Sequence, residues 1–236
     1  FFQAADLPSD IETRDRVLLA VMGSPDRRQI DGLGGAHPLT SKVGSVARSK
    51  RADIDLEFLF AQLQPERDTV DTTPNCGNIL AAVVPRALEV GMVSPRGATS
   101  TFRVLTLNTD MACDITVMTP HGQVDYDGDA RIDGVPGFAA PVAINFLDTA
   151  GSVCDSLLPT GNVRDSVTVE GDGFDPFTLD VTCIDNGMPL VMLRAEDVGR
   201  TGYEAVDTLN ADTDLKTRVE ALRLAAARRM GLGDVS

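Results

Sequence analysis

The chain has 236 residues, with 21 basic and 35 acidic side chains and a formal net charge of −14 at pH 7. This length has room for one large or two small domains with a substantial core, and a hydrophobic fraction of 43% excludes a fully disordered chain. The acidic balance argues against a nucleic-acid partner, which needs a basic surface, and no apolar run is long enough for a membrane span.

The first part of the sequence predicts a helix, a glycine-rich loop, two strands and a second helix. The first helix covers about 11–22, where apolar residues recur on one face, and the loop covers 31–42. Glycines in this loop permit unusual backbone angles or the close approach of a ligand. Strands are predicted at 43–47 and 54–63. The apolar stretch 79–90 then predicts a buried helix that starts near Cys76 and kinks or breaks at Pro85.

The second part predicts mostly β-structure and one clear helix. Short apolar runs between Gly, Asp and Pro clusters predict strands at 102–107, 113–118, 142–146 and 189–193. The acidic segment 164–185 carries Gly-Asp turns and is interpreted as surface hairpins and loops. Leu215, Val219, Leu222, Ala226 and Met230 recur at helical spacing, which predicts an amphipathic helix that Gly231 and Gly233 end.

The cysteine and histidine content argues against a metal site. There is no Cys-x-x-Cys pair, and the candidate ligands are few and widely spaced: Cys76, Cys113, Cys154, Cys183, His37 and His121. We therefore predict no bound metal, reduced thiols and a cytoplasmic location. The first residues also lack the basic and long apolar regions of a signal peptide.

Lys42 differs from the other two lysines of the chain. Lys50 and Lys216 lie in charged surroundings and are interpreted as solvated. Lys42 follows the glycine-rich loop, beside Ser41 and Val43, where its ammonium group can be partly desolvated. Desolvation favours the neutral form of a lysine, which can accept a proton, so Lys42 is a candidate general base. The alternative is an exposed loop lysine.

Cys76 is the second candidate, because Asn75-Cys76-Gly77-Asn78 stands at the predicted helix start. Unpaired backbone N–H groups there stabilise a thiolate, or bind the carboxylate of a ligand. Gly77 permits close approach of the backbone, and the amides of Asn75 and Asn78 can donate hydrogen bonds. The alternative is a structural cysteine at a capped helix start, which is our interpretation of the three other cysteines.

A series of motifs, in this order, resembles the PrpF family of allylic isomerases over essentially the whole chain. The oxalomesaconate isomerases of that family are the nearest likeness. The motifs are Met22-Gly23-Ser24-Pro25-Asp26, Gln29-Ile30-Asp31-Gly32, Gly34-Gly35, Leu39-Thr40-Ser41-Lys42-Val43, Asn75-Cys76-Gly77-Asn78-Ile79-Leu80, Asp133-Gly134-Val135-Pro136-Gly137, Leu157-Leu158-Pro159-Thr160-Gly161-Asn162 and Ile184-Asp185-Asn186-Gly187-Met188-Pro189.

The resemblance implies an α+β, diaminopimelate-epimerase-like fold. Such a fold has two β-structures, each wrapped around a central helix, with the active site between them. Residues 1–109 would form the N-terminal domain, lacking its first strand, and residues 110–236 part of the C-terminal domain. Family members carry a segment before the position of Phe1 and continue for about a hundred residues beyond Ser236, which is a domain-sized piece.

The resemblance also implies a proton shift that needs no cofactor. The substrate would be a small anionic carboxylate, an unsaturated keto di- or tricarboxylate such as 4-oxalomesaconate from the breakdown of gallate or protocatechuate. Lys42 and Cys76 match the family's proton-transfer pair. The substrate-binding residues would be Ser41, Asn75, Gly77, Asn78, Asn108 and Thr109. A homodimer is left open.

Other interpretations stay open at this point. One is an isomerase of the 2-methylaconitate or methylitaconate type, and another is a truncated, non-catalytic chain that only binds a carboxylate. A redox-regulatory thiol protein ranks lowest, because no resolving cysteine lies near Cys76 in the sequence. The chain also departs from the family's pattern at Arg86, inside a normally apolar helix, and at Asp110 and Asp155, where glycine is usual.

Overall fold

The computed structural model describes residues 1–233 and residue 235, and the chain forms two compact units, Phe1–Leu147 and Asp148–Ser236. Both units contain strands and helices, which confirms the α+β class. The domain boundary predicted between 109 and 110 stays a prediction. In the structure that point lies in a turn between two strands that pair over eight residues, from Thr99↔Met118 to Thr106↔Met111.

The first unit is built on one mixed sheet. The strands, in chain order, are β1 (Phe2–Gln3), β2 (Lys42–Arg48), β3 (Leu56–Leu63), β4 (Val70–Asp71), β5 (Thr99–Thr106), β6 (Met111–Met118) and β7 (Ala143–Phe146). They lie in the order β1-β2-β3-β5-β6-β7, and β4 pairs with one end of β3. The helices of this unit are α1 (Ile11–Met22), α2 (Gly77–Leu80) and α3 (Val83–Glu89). The predicted strands and the first helix are thus confirmed.

The core of the first unit surrounds α3. Val83, Val84 and Ala87 are fully buried, and they pack with inward residues of four strands. These strand residues alternate along the chain, as expected where one face of a sheet is buried: Val46, Leu56, Phe58, Phe60, Phe102, Val104, Cys113, Ile115 and Val117. The sheet therefore provides a nearly continuous apolar surface against which the two short helices are fixed.

The predicted helix over 79–90 is divided, but the break at Pro85 was wrong. The chain leaves helical hydrogen bonding at Ala81 and Ala82, between α2 and α3. Pro85 is the third residue of α3, within the first helical turn, where backbone N–H groups have no partner inside the helix. Proline is therefore tolerated there. Arg86 next to it is exposed, so its charge does not enter the core.

The second unit packs a helix on a small antiparallel sheet. Its strands are β8 (Asp165–Val169), β9 (Phe177–Asp185) and β10 (Pro189–Met192), in the order β10-β9-β8, and its helices are α4 (Val206–Ala211) and α5 (Thr213–Arg229). The predicted strand near 189–193 and the amphipathic last helix are confirmed. Leu222, Ala226 and Met230 of this helix region are buried against the sheet.

The segment 164–185 forms the predicted hairpin, but its description as surface structure was wrong. Val167, Val181 and Cys183 are at most 2% exposed and form the core of the second unit with α5. Most of the acidic residues that give this segment its composition lie outside this core. Asp180 lies on the opposite face of β9 and the residues Glu170, Asp172 and Asp175 lie in or next to the turn, so overall composition concealed the buried face. Among the described residues, no helix is long and apolar enough to cross a membrane.

Asp185, at the end of β9, is a fully buried carboxylate that organises the loop before β8. Its oxygens accept hydrogen bonds from the backbone N–H groups of Val153 and Cys154, both at 2.7 Å, and from Ser152 Oγ at 3.4 Å. Charge-assisted bonds of this kind are stronger than neutral ones, and a buried charge requires them. Asp155, in the same loop, has φ +63°, a conformation that favours glycine and that aspartate tolerates.

We expect Asp185→Ala to destabilise the second unit by about 2–4 kcal/mol, because two backbone N–H groups lose a charged acceptor and a cavity replaces a buried side chain. Urea unfolding followed by circular dichroism measures this change. Asp172→Ala is the matched control, because Asp172 is an exposed carboxylate in the hairpin turn of the same unit. Equal stability of the two variants would show that the loop does not depend on Asp185.

Candidate functional site

Lys42 is the first residue of β2, and the sheet determines the direction of its side chain. It pairs with Gln62 on β3, and consecutive strand residues point to opposite faces. Lys42 therefore shares the helix-bearing face with Val46, while Val43 turns to the small core formed with α1. The side chain is half-buried and passes over the ring of Phe60, with Nζ at 5.9 Å from the ring centroid.

The structure brings Lys42 and Cys76 into contact, although 34 positions separate them in the sequence. Lys42 Nζ donates to Cys76 Sγ at 3.4 Å, and both residues are half-buried. An ammonium group at this distance stabilises a thiolate, and a thiolate stabilises the ammonium. The two groups can therefore exchange roles as proton donor and acceptor without a buried, unpaired charge.

Cys76 is the N-cap residue of α2, as the sequence predicts, but α2 has only four residues. A single helical turn has a smaller dipole than the long helix predicted from 79–90. The local donors are nevertheless present, because the first N–H groups of any helix lack a partner inside it. Gly77 and Asn78 are exposed beside the thiol, and a Cβ atom at Gly77 would have its nearest neighbour, Phe146, 4.0 Å away. This position is open to a ligand.

Asn75 is held next to Cys76 by a chain of hydrogen bonds. Its Oδ1 accepts from the backbone N of Cys76 at 2.9 Å, and its Nδ2 donates to Thr109 Oγ1 at 3.4 Å. Thr109 Oγ1 lies 2.9 Å from Thr106 Oγ1, which in turn donates to the carbonyl of Met111 at 2.9 Å. Thr109 thus lies beside the predicted pair, on the exposed turn that also contains Asp110, whose φ is +53°.

Asn108 and Ser41 occupy different positions from those expected of ligand contacts. The amide of Asn108 donates to the carbonyls of Phe60 at 2.8 Å and Thr72 at 2.7 Å, and it accepts from the N–H of Phe60 at 2.8 Å. Ser41 is fully buried, and its hydroxyl lies 2.9 Å from both Gln29 Oε1 and the carbonyl of His37. Their predicted role in substrate binding stays a prediction, while the structure shows both side chains engaged with the protein itself.

The three other cysteines have the surroundings of structural thiols. Burial raises the pKa of Cys113 to about 11, and burial also raises the pKa of Cys183. Burial, together with the carboxylates of Asp185 and Asp155, raises the pKa of Cys154. All four cysteines are free of disulfide bonds. Within residues 1–233 and residue 235, no three His, Cys, Asp or Glu side chains cluster in a way that could hold a metal ion.

Sequence reasoning missed two glutamines near Lys42. Gln62, its pairing partner, donates from Nε2 to the carbonyls of Pro38 and Leu63, both at 2.9 Å, and lies 3.2 Å from that of Ser41. Gln29, which precedes the glycine-rich loop, accepts hydrogen bonds from the backbone N of Ala36 and from Ser41 Oγ. The available signal was weak, because glutamine has no special reactivity and Gln29 stood out only as the first residue of one of the quoted motifs.

Comparison with known proteins places this chain in a family. The model of the family described as PrpF protein matches residues 1–236. The chain is 55% identical to 4-oxalomesaconate tautomerase of Pseudomonas putida, over the whole chain and 63% of that protein. It is 51% identical to (4E)-oxalomesaconate Delta-isomerase of a Novosphingobium species, over the whole chain and 64% of that protein.

A solved structure, described as the crystal structure of methylitaconate-delta-isomerase, superimposes with a TM-score of 0.88. The two sequences are 38% identical, and the match covers 98% of this chain and 59% of that one. This chain therefore spans less than two thirds of the length of the proteins that it matches. Because the family model covers the chain from its first residue to its last, the chain belongs to the PrpF family.

Proposed function

We propose that this protein is an isomerase that moves a proton between carbons of an unsaturated keto di- or tricarboxylate, without a cofactor, and that 4-oxalomesaconate is its substrate. The observation that carries the proposal is the contact of Lys42 Nζ with Cys76 Sγ at 3.4 Å. Identities of 55% and 51% to two proteins named for oxalomesaconate support the choice of substrate.

The proposed chemistry requires one group that removes a proton and one that returns it. A base accepts a proton from a carbon next to a keto or carboxylate group, and the electron pair of that C–H bond passes into a dienolate. A second group then donates a proton to another carbon, so that the substrate gains and loses one proton in total. Lys42 and Cys76 supply two such groups within one contact, and either order of action balances.

The surroundings of the pair suit an anionic intermediate. Negative charge on the dienolate oxygen is stabilised by oriented N–H donors. The exposed backbone around Gly77 and Asn78 offers such donors, and the ammonium group of Lys42 adds positive charge. This local arrangement explains how a chain of net charge −14 would bind an anion.

The proposal includes a reducing, cytoplasmic compartment and leaves a second copy of the chain as a candidate partner. The four free thiols support the compartment, because a catalytic cysteine of this kind has to stay reduced.

A second candidate function is the isomerisation of methylitaconate or 2-methylaconitate. The structural match at a TM-score of 0.88 to a methylitaconate-delta-isomerase favours it, since the same proton shift would use the same pair.

We expect Lys42→Met and Cys76→Ser each to lower turnover of oxalomesaconate by about 100-fold or more, because each removes one of the two proton-transfer groups. Ultraviolet absorbance follows the change in conjugation of the substrate. Lys50→Met and Cys154→Ser are matched controls, since they remove the same residue types outside the pair. Methylitaconate and 2-methylaconitate, assayed side by side with oxalomesaconate, decide between the two candidate substrates.

The same assay covers the interpretation of a non-catalytic, carboxylate-binding chain. Turnover that is lost in both variants and retained in both controls supports the isomerase. The parent chain could instead be inactive and gain activity when it is extended to the length of its relatives. That result would support the same reaction but show that the complete site needs the longer protein. Turnover that survives in Lys42→Met or in Cys76→Ser would contradict the proposed pair.

We also expect iodoacetamide to modify Cys76 before the other cysteines at neutral pH. Cys76 is partly exposed and lies beside an ammonium group, whereas Cys113 and Cys183 are buried and have raised pKa values. Cys154 is partly exposed, but its raised pKa leaves less thiolate. Mass spectrometry of peptides taken over time gives the order of modification. Faster labelling of Cys154 than of Cys76 would contradict this view of the site.

A further inference from the structure

Gln29 is a buried amide in the loop that follows α1, and it is 1% exposed. A polar side chain without charge is rarely buried so completely unless its hydrogen bonds are made within the protein. Oε1 accepts from the backbone N of Ala36 and from Ser41 Oγ, both at 2.9 Å, and Nε2 donates to Ser24 Oγ at 3.2 Å. One side chain therefore connects the end of α1, the glycine-rich loop and the start of β2.

One glycine of this loop, Gly34, leaves room for the amide of Gln29. A Cβ atom at Gly34 would lie 2.1 Å from Gln29 Oε1, so only glycine leaves room for it there. Gln29 itself has φ +49°, a conformation that is uncommon for residues other than glycine and that persists only where its surroundings hold it. The loop is built around this side chain at some conformational cost.

Ser41, the residue held by Gln29, directly precedes Lys42. Its backbone carbonyl accepts from the N–H of Leu63 at 2.9 Å, which fixes its main chain, and its side chain is fully buried. Ser41 lies just before β2 and has φ −104° and ψ 63°, so fixing its main chain and its side chain fixes the backbone from which Lys42 enters the strand. Within β2, Lys42 shares the face of Val46, which packs against the helices. Lys42 is also the first residue of β2, where a strand without such an anchor frays.

We propose that Gln29 is a positioning residue, which through Ser41 holds Lys42 against Cys76. The proposal deepens the proposed function, because it rests on the same proton-transfer pair. The side chain of Gln29 hydrogen-bonds to Ser24, Ala36 and Ser41, whereas Lys42 Nζ donates to Cys76 Sγ. Gln29 therefore acts on the position of Lys42 rather than on the proton transfer itself. Removing its amide would leave the Lys42 ammonium group present but no longer fixed beside the sulfur.

The test measures the alkylation of Cys76 by iodoacetamide in the purified chain, with Gln29→Met, Lys42→Met and the double variant. We expect Lys42→Met to slow alkylation by about tenfold, since the thiolate loses a cation at close range. Gln29→Met should slow it by about threefold or more, and the double variant should be no slower than Lys42→Met alone. Such non-additivity is the signature of one residue acting through another.

Ser100→Ala is the matched control for a general loss of stability. Ser100 is likewise fully buried in the first unit, where it accepts from the N–H of Arg96 at 2.8 Å and lies 2.7 Å from Thr119 Oγ1. It should leave the alkylation rate at the parent value. If Gln29→Met lacks a cooperative thermal transition, Ser41→Ala replaces it, because it removes the hydroxyl that Gln29 holds and carries the same expectations.

Two results would overturn the proposal. One is a folded Gln29→Met protein, or a folded Ser41→Ala protein in its place, that alkylates Cys76 at the parent rate. The other is a double variant whose effects multiply. Because alkylation requires no substrate, it reports on the pair even if the protein fails to isomerise oxalomesaconate. Where turnover is present, Gln29→Met should lower kcat by about tenfold to 100-fold and leave KM within about threefold, as expected for a displaced proton-transfer group.

Discussion

The contact between Lys42 and Cys76 depends on the packing of the sheet of the first unit against α3. A lysine at a strand end and a cysteine at a helix start can meet only if both elements are immobile. The seven-residue pairing of β2 with β3 fixes the strand that carries Lys42. The complete burial of Val83, Val84 and Ala87 fixes α3, which follows directly after the short helix that Cys76 caps. Burial of such side chains contributes about 1.5–3 kcal/mol for each large apolar residue, far more than the polar contact between the two reactive groups. The apolar core therefore holds the proposed proton-transfer pair in contact.

Hydrogen-bonded polar side chains, of which Gln29 and Asp185 are buried and Asn108 is half-buried, provide the finer positioning around that core. Asn108 fixes the backbone of Phe60 and Thr72, and Gln29 fixes the start of β2 through Ser41. In the second unit Asp185 does the same for a loop. Each of these groups would cost free energy if its partners moved, because a buried donor or acceptor without a partner is expensive. Such groups specify one arrangement of a loop, whereas apolar contacts tolerate several. This explains why loops rich in glycine and turn residues can hold a site of fixed geometry.

The departures from the family's pattern do not disturb the described geometry. Asp110 and Asp155 replace glycines at positions with φ of +53° and +63°, which aspartate adopts more readily than most residues. Arg86 points to solvent from α3, while its neighbours Pro85 and Ala87 face the core. The pair itself, and the Asn75-Cys76-Gly77-Asn78 segment, are retained. The high identity to proteins named for oxalomesaconate thus accompanies an undisturbed contact between Lys42 and Cys76, in a chain that spans less than two thirds of their length.

Local patterns in the sequence were sufficient for α1, α5 and most strands, because helical and strand periodicities depend only on neighbouring residues. They also singled out Lys42 and Cys76, since the scarcity of lysine and the position of Cys76 at a predicted helix start can be read from the sequence. The sequence alone misplaced the break near Pro85, because whether a proline is tolerated depends on where the helix begins. It also concealed the buried face of 164–185, because the composition of that segment averages its buried and its exposed residues. Only the tertiary structure showed that Lys42 and Cys76 touch, that Asn108 and Ser41 face the protein, and that Gln29 holds the strand start. Those facts depend on which distant segments meet, and that is decided by packing rather than by any local pattern.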